Sequence, residues 1–127
     1  DKMVFMGCYG IGLGRVLGTI VETLCDDKGV IWPAEVAPFK YHIIEIVSEK
    51  KEVKEMAEKI YKKLGEENVL YDDRDLRAGE KFADADLLGM PYQIIVSEKN
   101  IASGKLEIKN RKTGETKMVS EEEISGL

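Results

Sequence analysis

Cysteine is scarce in this chain of 127 residues, with Cys8 and Cys25 only, and histidine occurs once, as His42. Two cysteines without a second pair make neither a zinc site nor a disulfide framework, so the composition points to a reducing, cytoplasmic setting with no bound metal. Long apolar runs are missing, since glycine or charge interrupts each one well short of a membrane span. A leader's apolar stretch and cleavage site are also missing, and the chain opens Asp1-Lys2 rather than with Met, which suggests a piece trimmed from something longer. There is no internal repeat and no low-complexity tract. A surplus of positive charge is lacking as well. The net charge of −5 argues weakly against broad, non-specific nucleic-acid binding, while leaving a local basic face open.

What is present is the profile of a globular domain with a core, 43% apolar and 34% charged. Residues 3–6 read as a short strand, and Gly10 to Leu24 as a helix with Ile11, Val16, Leu17, Ile20, Val21 and Leu24 at three- and four-residue steps. Residues 26–38 carry a Lys28-Gly29 turn signal and two prolines, as a surface-lying linker in which Ile31 and Trp32 seek burial. Beyond Pro38 the pattern predicts strands at 41–47, 69–73 and 91–97, and helices at 51–67 and 79–88. A hairpin at 105–111 and 116–120 follows, then a terminal helix with Ser120 as N-cap and Glu123 at the capping-box position. Strand–helix–strand–helix–strand plus a hairpin is an α/β fold: a mixed, roughly five-stranded sheet flanked by helices in three layers.

The glycines of "MGCYGIGLGR" invite a phosphate-binding reading. A P-loop fails, because Arg15-Val16 stands where lysine and a hydroxyl residue belong, and a dinucleotide fingerprint fails because Arg15 takes its last glycine position. A glycine-rich helix packed on a neighbouring backbone is the plain alternative. The pattern G-x-G-x-x-R at a strand-to-helix junction resembles the third signature motif of class II aminoacyl-tRNA synthetases. With "DDKGVIWPAEVAPF" and "YDDRDLRAGEKFADADLLGMP", the whole chain resembles the C-terminal part of the bacterial-type prolyl-tRNA synthetase family. The resemblance implies that Arg15 meets ATP phosphate, that Gly10, Gly12 and Gly14 admit the adenylate, and that Cys8 and Tyr9 border the aminoacyl pocket. Helix-terminal amides and a guanidinium are suited to that charge. It further implies residues 1–25 as a remnant of the catalytic domain, 26–38 as linker and 39–127 as an anticodon-binding domain. The parent would be a homodimer using ATP with magnesium. Its other ATP-site motifs lie outside this chain, so the chain alone is expected not to catalyse.

The same resemblance implies recognition of a proline tRNA, whose last two anticodon letters are guanines. A guanine edge offers two adjacent N–H donors and one carbonyl acceptor, and a splayed base also wants a flat face. Phe82 for stacking and Asp86 for the donors stand four apart on one helical face, with Lys81 and Arg77 nearby. The family's recognition positions fall on Phe82, Asp86, Gln93 and the Asn100 loop, together with a basic residue from the hairpin. Some relatives carry arginine at the place of Gln93 and aspartate at that of Asn100. Lys99, Lys105, Lys109, Arg111 and Lys112 would give a basic face for phosphate.

Plainer readings stand beside these. Phe82 is by residue type a core candidate, and Asp84 and Asp86 can be solvated carboxylates. Asp72-Asp73-Arg74-Asp75 tempts toward a metal site but reads better as a strand end fixing the next loop. His42 reads as a core or edge residue, and the lysines of 50–63 as the wet side of a helix paired with Glu52, Glu55 and Glu58. The partners implied are a tRNA anticodon loop and the remainder of a synthetase, with no membrane. A free-standing α/β interaction domain of the same fold is the rival reading, and a small independent nucleotide-binding enzyme a third.

Overall fold

The computed structural model describes residues 2–48 and 50–126. Five strands form the main sheet: β3 (Tyr41–Glu45), β4 (Val69–Asp72), β5 (Tyr92–Val96), β6 (Leu106–Asn110) and β7 (Thr116–Val119), in the order β4-β3-β5-β6-β7. β4, β3 and β5 run parallel, and β6 and β7 complete the sheet antiparallel. Parallel neighbours need crossovers, which helices α2 (Lys51–Leu64) and α3 (Ala78–Leu88) supply. The mixed α/β sheet between helices is the fold the sequence predicts.

Alternation along the strands assigns the two helices to opposite faces. Tyr41, Ile43, Val69, Ile94, Val96, Leu106 and Ile108 meet Val53, Ala57 and Ile60 of α2 in the larger core. Ile44 and Ile95 face the other way and meet Ala85 of α3, with Phe82 and Ile46 packed at the margin of this smaller cluster. β3 is an interior strand covered on both faces, so Tyr41 through Ile44 are all buried. Gly65, at φ +88°, ends α2 three residues earlier than its periodicity suggests.

Several elements differ from expectation. Residues 3–6 form no strand; Met3, Val4, Phe5 and Met6 lie exposed. Among the described residues no neighbouring strand pairs with them, and strand backbone without a ladder partner gains nothing over hydrated chain. The helix that follows, α1 (Leu13–Thr23), starts at Leu13 rather than at Gly10, so Gly10 and Gly12 precede it and Gly14 lies in its first turn. The stretch expected as linker contains a tight hairpin, β1 (Cys25–Asp26) with β2 (Gly29–Val30). The Asn100 region is a short helix, α4 (Glu98–Ala102), capped by Ser97, not a loop. The terminal helix shortens to one 3-10 turn at Glu123–Gly126, where the Glu123 carboxylate accepts the Ser120 N–H at 2.8 Å.

Candidate nucleic-acid interface

α3 presents two adjacent stripes. Lys81 and Ala85 point into the sheet, while Phe82 and Asp86, one position on, sit half-buried at its border. The border stripe lies above β5 and β6, because Gln93 and Lys109 are register partners on the face that α3 covers. Oδ1 of Asp86 accepts hydrogen bonds from Gln93 Nε2 and Lys109 Nζ, both at 2.9 Å. Arg111 Nε stands 3.9 Å from the same oxygen, and Lys28 Nζ lies 3.8 Å from Oδ2. Burial pushes the Asp86 carboxyl up; the hydrogen bonds from Gln93 and Lys109 and the charges of Lys109 and Arg111 outweigh it, so the group ends below the usual carboxylate range. Asp86 is thus an ionised acceptor ringed by cations, with Phe82 one helical turn away.

The end of α3 is gripped by the β1–β2 hairpin. Asp26 accepts the backbone N–H groups of Lys28 and Gly29 and so shapes its own turn. Its carboxylate also takes two guanidinium bonds from Arg111, at 2.6 and 2.7 Å, which hold it far below the ordinary aspartate range with help from the Lys28 N–H. Arg111 Nε in turn donates to the Asp86 carbonyl at 3.0 Å. Trp32 closes the contact, its indole N–H donating to the Leu88 carbonyl and its backbone N–H to that of Gly89. One buried arginine therefore ties the hairpin, the acid-bearing helix and the end of β6 together.

The candidate residues do not all converge here. Lys81 is fully buried, and its ammonium binds the carbonyls of Glu45 (2.6 Å) and Asp72 (3.2 Å) with the Asp72 carboxylate 4.0 Å away. It neutralises strand-end carbonyls inside the fold, so it does not stand beside an RNA base. Gln93 is likewise buried and acts through Asp86; its Oε1 has no hydrogen-bond partner. Asn100 turns inward, its Nδ2 donating to the Ile95 carbonyl at 3.0 Å, which makes it a brace for α4. Arg111 is buried in its ion pair and gives no phosphate-facing charge. Arg77 is exposed at the start of α3, where Glu80 accepts its backbone N–H, and Lys112 is exposed in the β6–β7 turn, with Lys99 and Lys105 exposed nearby in sequence. Asp26 and Lys28 were not singled out as site residues; the Asp-x-Lys-Gly turn was the signal available for them.

The other tempting motifs resolve structurally. Arg74 pairs with Asp72 through two bonds and with Asp84 through a third. These residues, with His42, Leu70 and Leu87, line a cleft of about 460 Å³ between β4 and α3 whose charges are matched to each other. No group of metal-ligating side chains occurs among the described residues. Lys50, just before α2, pairs with Glu98, and Lys59 of α2 pairs with Glu121, so both reach to other elements. In the glycine segment, Cys8, Tyr9, Gly10, Gly12, Gly14 and Arg15 are exposed. A Cβ at Gly10 or Gly14 would meet nothing within 4 Å, so neither close packing within this chain nor a positive φ calls for these glycines.

A mixed sheet whose covering helix carries a cation-ringed carboxylate and, one turn away, a partly buried ring is an α/β domain with one polar, charged border. The chain belongs to the family described as the anticodon binding domain, whose pattern matches residues 38–127. It is similar to the proline–tRNA ligase of Endomicrobium trichonymphae, 50% identical over 116 residues, covering 90% of this chain and 20% of that protein. Against the proline–tRNA ligase of Wolbachia pipientis wMel it is 48% identical over 120 residues, 94% of this chain and 28% of the relative. The proline–tRNA ligase of Persephonella marina matches over the whole chain at 44% identity, covering 23% of its own length. The chain thus spans less than a third of each of these relatives.

Proposed function

We propose that this chain is the anticodon-reading module of a proline–tRNA ligase, holding the two guanines that end the anticodon of a proline tRNA. Residues 39–127 carry the reading, residues 26–38 join it to the ligase body, and residues 1–25 complete that body's ATP site through Gly10, Gly12, Gly14, Arg15 and Cys8. The parent ligase uses ATP with magnesium, works as a homodimer in the cytoplasm, and esterifies proline to the tRNA end. The chain alone does not form the adenylate. Similarity to ligases extends upstream of the anticodon-binding family's own boundary at residue 38, which favours a ligase module over a free-standing domain of the same fold.

The observation that carries this reading is Asp86. An ionised carboxylate, pinned on one oxygen and open on the other, matches the paired N–H donors of a guanine edge. Phe82 supplies a flat face one turn away, and Arg77 and Lys112 supply charge for phosphates. Titration of labelled stem-loops ending in GG, GU and UG tests it, at two salt concentrations. The GG loop binds best, by about 1–3 kcal/mol per replaced base. Phe82→Ala and Asp86→Ala remove that preference. Equal affinity for the three loops in the unaltered chain rejects the reading.

A further inference from the structure

We infer that Lys28, in the hairpin upstream of the family's domain boundary, is a specificity-determining residue that donates to the carbonyl O6 of the guanine held by Asp86. The inference rests on the anticodon reading above and assigns a third polar contact within it. Asp86 divides its two oxygens unequally. Oδ1 is taken by Gln93 and Lys109, whereas Oδ2, among the described residues, accepts no hydrogen bond and lies 3.8 Å from Lys28 Nζ. A guanine presenting its N–H donors to this carboxylate approaches the open oxygen. Its O6 lies beside N1–H on the same edge, so with N1–H on the open Oδ2 the third contact comes from a donor next to that oxygen. Lys28 is that donor. Lys109 is committed to the opposite oxygen and is three-quarters buried.

The position of Lys28 is not left to a floppy connector. Its backbone N–H and that of Gly29 are bound by Asp26, which Arg111 grips with two short bonds. A Cβ at Gly29 would fall 2.4 Å from Leu87 Cα and 2.7 Å from the Asp86 carbonyl, so the turn lies in backbone contact with the very residue that carries the acid. The lysine side chain, 67% exposed, is the part left free to move the short distance from carboxylate to base. A long ion pair of this kind is weak and readily exchanged for a direct hydrogen bond.

The test uses the full chain and stem-loops carrying GG or 6-thioguanine in place of each guanine in turn; 6-thioguanine keeps both N–H donors for Asp86 and replaces O6 by a sulfur that accepts hydrogen bonds only weakly. Lys28→Ala weakens binding of the GG loop about tenfold. It costs far less for the loop whose Asp86-bound guanine is replaced than for the unmodified loop. Lys28→Arg retains most of the affinity. An equal loss on every loop, shrinking with salt, makes Lys28 a phosphate contact and overturns the inference. So does guanine-selective coupling found with Lys109→Ala and not with Lys28→Ala. If the unaltered chain prefers no loop, the anticodon reading itself fails and takes this inference with it; a preference that survives intact in Lys28→Ala overturns this inference alone.

Discussion

His42 lies buried in the interior strand β3 with its Nδ1 unpartnered, and removal from water lowers its pKa to about 4. The nearby Asp72 and Asp84 carboxylates favour the proton and Arg74 opposes it, but desolvation wins. The unfolded chain takes up this proton near 6.5, the folded chain only near 4, so stability is complete above that range and falls as pH drops through it. Between pH 7 and pH 5 the loss is about 2 kcal/mol. Denaturant titrations at both values should show it, and His42→Leu should flatten the difference. Equal pH dependence in the two proteins contradicts the assignment. The carboxylates held low, Asp72 and Asp86, lose their contributions in more acidic solution. Residue roles were the least legible part of the sequence. Phe82 and Asp86 follow from a four-residue spacing, but nothing in spacing reveals that Lys81, one place earlier, faces the sheet. A rotation of about 100° per residue separates a surface residue from an interior one, and only tertiary packing fixes the phase.

At the scale of elements, the hairpin β1–β2 acts as a clamp on α3. Gly89 ends that helix at φ +70°, and a Cβ there would stand 1.8 Å from the Val30 carbonyl oxygen. Gly89→Ala therefore strains the helix end and displaces the hairpin. We expect a stability loss exceeding about 1 kcal/mol and faster proteolysis within residues 25–32. Gly10→Ala, placed in open space, should stay within about 0.5 kcal/mol of the parent. Equal tolerance of both changes would show that the hairpin is not clamped. Long amphipathic or β-branched segments such as α2, α3, β3 and β5 were readable because their apolar period dictates one arrangement. Residues 3–6 misled, since apolar residues mark a strand only where another strand can pair. α4 was hidden because five residues are too few to show a period, although the Ser97 cap was visible in retrospect.

For the molecule as a whole, charge placement matters more than charge total. A chain of net charge −5 gathers Lys28, Lys109 and Arg111 around one carboxylate and leaves Arg77, Lys99, Lys105 and Lys112 exposed. Its core is built around the sheet and needs nothing from the exposed glycine segment, which the structure leaves without packing partners for Gly10 and Gly14. The family and architecture were legible from the sequence because three separate motifs agree on them, whereas the clasp between Asp26 and Arg111 joins residues too distant in sequence to be paired by inspection. The most direct measurement is amide chemical-shift mapping of the isotopically labelled chain as a GG anticodon stem-loop is added. Perturbations should concentrate at Phe82, Asp86, Lys109 and the Asp26–Gly29 turn. Perturbations centred instead on His42, Leu70 and Leu87 in the opposite cleft, or spread evenly over the lysines of α2, would contradict the anticodon reading.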